Sequence, residues 1–161
     1  MSHRWKPNVT VAAVIERDGK FMLVEEETSN GLMLNNPAGH LDAGESPTAA
    51  CIREVLEETT HAFTPTSLIG VYMSRTRRVR TGQDTTYLRF AFCGELGEAK
   101  PGAELDTGIV RTLWMTADEI RACVTRHRTP LLLRCVEDYL ARQRLPLNSI
   151  FIDSSVYNNN I

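Results

Sequence analysis

At 161 residues, with 42% hydrophobic and 24% charged side chains, the chain has the size and balance of a soluble globular domain that buries a sizeable core. A formal net charge of −2 excludes a global positive field that would recruit nucleic acid or an anionic membrane, and no apolar run reaches membrane-spanning length. Cys51, Cys93, Cys123 and Cys135 are widely spaced without a CxxC pair, and the polar Met1–Lys6 start does not read as a secretory leader, so reduced thiols and a cytoplasmic location are expected.

The chain opens with two β-rich runs, Asn8 to Glu16 and Phe21 to Glu27, joined by Arg17-Asp18-Gly19-Lys20; Asp-Gly between such runs predicts a β-hairpin. Ser29-Asn30-Gly31 turns the chain, Leu32 to Leu34 is a short extended segment, and Asn35-Asn36-Pro37-Ala38 follows. Pro37 and Gly39 bracket Ala38, which places its carbonyl in an irregular loop. Ser46 is a good N-cap and Pro47 suits a first helical position, so a helix is expected from about Pro47 to about Thr59, fed by the loop from Gly39 to Glu45.

A wheel at about 100° per residue with Glu54 at zero puts Glu58 about 40° to one side and Glu57 about 60° to the other, so three carboxylates share a face. Ala49, Ile52, Val55, Leu56 and Thr59 lie opposite, which predicts a helix with acid outward and apolar residues packed on a sheet. Clustered like charges need bulk water or a cation to offset their repulsion. A solvated acidic face and a site for a hard divalent cation both fit that spacing. Cys51, on the acidic side, is read as a space-filler rather than a nucleophile.

Beyond the helix, Ser67 to Ser74 and Thr86 to Leu96 read as strands. Between them Arg75, Arg77, Arg78 and Arg80 crowd a loop that is either a solvated hairpin tip or a clamp whose guanidinium forks match phosphate geometry. Arg89, inside the apolar run LRFAF, requires a partner. Gly97 to Gly108 is a polar loop containing Glu98, Glu104 and Asp106, and Ile109 to Met115 is a further strand. Thr116 caps a helix with Asp118 and Glu119 in its first turn. Pro130 to Gln143 forms another helix, striped with Leu132, Leu133, Val136, Tyr139 and Leu140, and the tail beyond residue 152 looks frayed.

Read as one pattern, Gly39, five residues, Glu45, seven residues and then Arg53-Glu54-Val55-x-Glu57-Glu58 resembles the Nudix box, Gly-x5-Glu-x7-Arg-Glu-U-x-Glu-Glu-x-Gly-U with U aliphatic. Every charged position is present. The motif glycine is replaced by Thr60 and the following aliphatic by His61; a β-branched residue is strained at positive φ, so Thr60 is expected to keep negative φ, with a Thr or His side chain meeting an orphan helix carbonyl. The PNVTVAAVI opening, PAGHLDAGE, TYLRFAF and RQRLPL look most like the NudJ-type phosphatase subgroup.

The resemblance implies an α/β protein of the Nudix fold, an α/β/α sandwich around a mixed β-sheet, as one domain over 1–161 with its core at about 6–152. It implies hydrolysis of a pyrophosphate bond with Mg²⁺ or Mn²⁺ held by Glu54, Glu57, Glu58 and the Ala38 carbonyl, with Arg53 orienting Glu54 as general base and Glu45 in structural support. Arg75, Arg77, Arg78, Arg80 and Arg89 are candidate substrate-binding residues, and Glu98, Glu104 and Asp106 candidate late-loop acids. The expected partner is a small pyrophosphate, a nucleoside tri- or diphosphate or a thiamine-type pyrophosphate, bound by a monomer or homodimer. An ADP-ribose or dinucleotide pyrophosphatase, an RNA 5′-end pyrophosphohydrolase and a non-catalytic nucleotide-binding Nudix domain are the alternatives; near-neutral charge argues against a broad RNA track.

Overall fold

The computed structural model describes residues 4–78 and 81–158. Among the described residues eight strands form two sheets: β1 (Asn8–Val14), β2 (Glu16–Arg17), β3 (Lys20–Thr28), β4 (Gly31–Asn35), β5 (Ala38–His40), β6 (His61–Arg78), β7 (Gln83–Ala99) and β8 (Ile109–Thr116). Three α-helices accompany them: α1 (Pro47–Thr59), α2 (Ala117–Ala122) and α3 (Leu131–Leu140). One sheet runs β5-β1-β7-β6 with β1 and β7 parallel; in the other, β3 pairs with β2, β4 and β8, all antiparallel. The mixed sheet of the expected α/β sandwich is therefore accompanied by a second, antiparallel one.

Strand β1 explains the layering. Its side chains alternate between the faces of the pleat. Val11, Ala13 and Ile15 pack with Ala50, Cys51 and Val55 of α1, whereas Ala12 and Val14 join Ile120, Leu132, Cys135 and Val136 of α2 and α3. Both faces are dry, so the run VAAVI is almost continuously apolar.

The opening hairpin is shorter than its sequence suggests. Asp18 and Gly19 take φ of 52° and 76°, the positive values a tight two-residue turn needs, but only Glu16 and Arg17 pair back onto β3. At Ile15 the chain leaves the first sheet, and β1 pairs with β5 and β7. Ala38, expected in an irregular loop, lies in β5 opposite Ala12. Strands β6 and β7 run longer than predicted, β7 taking in Gly97 to Ala99 at the start of the expected polar loop, while α3 ends at Leu140, short of Gln143.

Helix α1 has the predicted bounds, and Ser46 caps it by accepting from Ala49 N–H at 3.1 Å. Its orientation is turned from the expected one, although Val55 and Thr59 of the apolar stripe are buried as predicted. Glu54 and Glu58 are buried with Ala50, Cys51 and Val55, whereas Ala49 and Ile52 are exposed, so the acidic face turns inward. The wheel ranked these carboxylates as solvent-seeking because it carries no information about the partners that β5 and Arg53 provide. Thr60 is also contrary to expectation: φ 63° and ψ 7° place it in the left-handed region. The orphan carbonyl is met as expected, His61 Nδ1 lying 2.6 Å from Thr59 O.

Candidate active site

Arg53 is the hub of the site. Its Nε and Nη2 donate in parallel to Glu45 Oε2 and Oε1 at 3.1 and 2.7 Å, Nη1 donates to Glu54 Oε1 at 2.7 Å and Glu57 Oε2 at 3.1 Å, and Nη2 also reaches His40 O at 2.9 Å. Glu45 in turn accepts from Asp42 N–H at 2.8 Å, which fastens the loop before α1. The guanidinium beside it holds the Glu45 carboxyl below the usual range. The spacing from Glu45 to Arg53 is thus a bidentate clamp between the loop and the second turn of the helix.

Glu58 lies one turn further along and is pinned by one bond: Ala38 N–H donates to its Oε2 at 2.8 Å. Gly39 is next in the strand, and a Cβ there would collide with the Glu54 carboxyl group, so the motif glycine is the cradle in which Glu54 rests. Burial pushes the Glu58 carboxyl up to about 8 against the opposing effect of the Ala38 N–H, and the nearby Glu26, Glu54 and Asp106 push it the same way. Glu54 is raised as well, because its burial outweighs the Arg53 contact. Burial thus disfavours the charged form of both carboxyls when no cation is bound.

The proposed late-loop acids separate. All three are exposed, but Asp106 N–H donates to Glu57 O at 2.9 Å, which brings that residue to the end of α1. The arginine loop is spread along the β6–β7 hairpin: Arg75 pairs with Asp84, Arg77 lies 3.9 Å from Asp84, and Arg78 is exposed. Among the described residues none of these three bonds to a motif carboxylate, and Arg80 lies outside them. Arg89 is buried with its Nη2 3.5 Å from Asn35 Oδ1, and burial lowers its pKa.

Sequence reasoning missed Glu25 and Glu26. Both are buried, beside a register shift in the β3–β8 pairing. Glu25 is held by Arg111 and Arg126, and Glu26 by Arg128 and the Asn35 amide. The signal was available: a run of three glutamates follows the apolar stretch of β3, the same anomaly that singled out Arg89.

Among the described residues no three His, Cys, Asp or Glu side chains close into a ready-made cage, since Arg53 holds one oxygen of Glu54 and one of Glu57. The donor set nevertheless suits a hard divalent ion: carboxylate oxygens, two of them on the buried side chains of Glu54 and Glu58.

Comparison with known proteins agrees with this geometry. The NUDIX domain model matches residues 5–135. Phosphatase NudJ of Escherichia coli strain K12 is 36% identical over 146 residues, covering 91% of this chain and 92% of that protein, and phosphatase NudJ of Shigella flexneri matches to the same extent. A NUDIX hydrolase from Nitrosomonas europaea superposes with a TM-score of 0.83 at 52% identity, covering 92% of this chain and 98% of that one. A UDP-X diphosphatase shares the fold, with a TM-score of 0.68 at 22% identity over 89% of this chain and 68% of that one. With its complete set of motif charges, its buried glutamates and these relatives, the chain belongs to the Nudix hydrolase family.

Proposed function

We propose that the protein hydrolyses a phosphoanhydride bond in nucleoside tri- or diphosphates or in thiamine-type pyrophosphates, with Mg²⁺ or Mn²⁺ held by Glu54, Glu57, Glu58 and the Ala38 carbonyl. The observation that carries this reading is the pair of buried carboxylates, Glu54 and Glu58, fixed against β5 by Gly39 and the Ala38 N–H. A bound ion would supply charge neutralisation at the phosphate oxygens and activation of the attacking water. In this reading Glu54 takes the proton: Arg53 engages Oε1, among the described residues Oε2 has no hydrogen bond, and burial raises the pKa of the carboxyl toward the operating range of a general base. Arg53 orients that carboxylate and Glu45 fixes Arg53. The substrate class follows the NudJ phosphatases, which are 36% identical to this chain. Four free cysteines fit a reducing cytoplasm.

The test is chromatographic detection of the phosphorylated products released with Mg²⁺ from a panel of nucleoside tri- and diphosphates, a thiamine-type pyrophosphate, ADP-ribose, a dinucleotide and a 5′-triphosphorylated RNA. Glu54→Gln and Glu58→Gln keep shape and remove charge; each is expected to lower kcat by roughly 10²-fold or more while the fold persists. Full activity in both variants, or no release from any substrate, overturns the reading.

A further inference from the structure

The buried Glu26 carries a cation on its outer side. Arg128 Nη1 donates to Glu26 Oε2, while Asn35 Nδ2 donates to Oε1 at 3.1 Å from within. The Arg128 side chain is 48% exposed above a Glu26 side chain that is 9% exposed, so the carboxylate is enclosed and the guanidinium faces solvent. The backbone of Arg128 is fixed too: its N–H donates to Leu34 O at 2.9 Å, and His127 forms a parallel bridge with Leu34. Leu34 to Ala38 is thus one short segment that holds Arg128 at its start and, through the Ala38 N–H, Glu58 at its end. The charge of Glu26 is felt at Glu58, which sets the ion pair beside the motif carboxylates.

Replacing a buried ion pair by apolar side chains is often neutral or stabilising, so stability alone does not account for a carboxylate enclosed beneath a half-exposed guanidinium. What the pair does is fix the cation. A guanidinium carries five N–H donors in a planar fork, and Glu26 engages Nη1, which leaves the remaining edge to an oxyanion from solvent. A side chain already held in place loses less freedom on binding than a mobile one. Arg53, the other cation of the site, already commits Nε, Nη1 and Nη2 to Glu45, Glu54, Glu57 and His40 O. Arg111 and Arg126 sit on Glu25, which strand alternation turns to the opposite face of β3 from Glu26, the β3–β4 register being regular there.

We propose that Arg128, held by Glu26, grips a non-bridging phosphate oxygen of the substrate and positions the phosphate chain beside Glu54 and Glu58. This rests on the hydrolase reading and names a further binding residue of the same site. Arg128 binds, Glu26 positions it, and proton transfer stays with Glu54.

The test is calorimetric titration, with Mg²⁺ present, of methylenediphosphonate, a pyrophosphate analogue that cannot be hydrolysed. The parent is expected to bind it, and Arg128→Ala to bind about tenfold or more weakly. Arg128→Lys keeps a charge for Glu26 but loses the fork; it should melt within about 2 °C of the parent and still bind at least about threefold more weakly, which separates lost grip from lost folding. Arg126→Ala, on the opposite face, should bind within about twofold of the parent. Where Arg128→Ala does not fold, the lysine variant decides. The inference is overturned if the parent does not bind the diphosphonate, if Arg128→Lys binds like the parent, or if Arg126→Ala weakens binding as much as Arg128→Ala. Because binding is read without turnover, parent-like affinity in the Arg128 variants beside an active hydrolysis panel refutes this assignment and leaves the hydrolase reading standing.

Discussion

Replacing Thr60 by glycine should stabilise the protein. Thr60 closes α1 at φ 63° and ψ 7°, a conformation that costs an L-residue roughly 1–2 kcal/mol and burdens a β-branched one most. Its two backbone bonds, Thr60 N–H to Leu56 O at 2.9 Å and Lys100 N–H to Thr60 O at 2.7 Å, do not involve the side chain and survive the change. Against the relieved strain stands the greater freedom that glycine gives the unfolded chain, about 0.4–1 kcal/mol. The difference is a gain of about 0.5–1 kcal/mol, or roughly 1–4 °C in Tm for a domain of this size. Equilibrium urea unfolding is the assay, with an unchanged m-value showing that both proteins unfold alike. Thr60→Asn, which tolerates the left-handed region, should fall between the two. A Thr60→Gly protein less stable than its parent by more than about 0.5 kcal/mol would refute the reasoning, because some undetected contact of the Thr60 side chain would then outweigh the strain.

Gly39→Ala should fold, since the colliding group is the end of a flexible side chain, yet lose roughly 10²-fold in kcat because Glu54 must leave its cradle; retained kcat would remove Gly39 from the site. Glu58 makes a signed pH prediction for the metal-free protein. Its folded pKa of about 8 exceeds the ordinary 4.5, so the folded state keeps a proton that the unfolded chain has released, and the contribution of Glu58 to stability is complete below pH 4.5 and gone above about 8. Denaturant melts from pH 4 to 9 should show this decline, and Glu58→Gln should flatten it; an unchanged slope in the variant would assign the decline to other groups. Arg78→Ala should raise KM severalfold with stability within about 0.5 kcal/mol if the exposed hairpin grips phosphate, whereas unchanged kinetics across Arg75, Arg77 and Arg78 alanine variants would make it a solvated tip.

Local chemistry was legible in the sequence. Ser46 and Pro47 marked the start of α1, Thr116 with Glu119 formed the expected cap of α2, and Asp18-Gly19 formed the turn, because each depends only on residues a few positions apart. What depended on distant partners was not legible. The wheel turned Glu54 and Glu58 outward, since nothing in α1 discloses that Ala38 and Gly39 await them. The pairing of β1 with β7 and the clamps on Glu25 and Glu26 likewise join residues from opposite ends of the chain. Thr60 was misread for another reason: the steric argument was sound, but chain closure onto Lys100 overrides a penalty of this size.

The parallel pairing of β1 with β7 also orders events in time. Strand β1 sits between β5, which follows it closely, and β7, which follows only after α1 and the whole of β6. At translation rates of about 5–20 residues per second, the acidic helix is complete about 2–7 s before the β7 residues that pair with β1 have all been synthesised. A nascent chain halted at Arg78 would carry every motif carboxylate but not Arg89, and its Val9-to-Val14 stretch would have an open edge where Leu88 to Cys93 belong. Such an edge is a template for strand addition from other chains, so the ribosome-bound stage is when this protein most needs shielding.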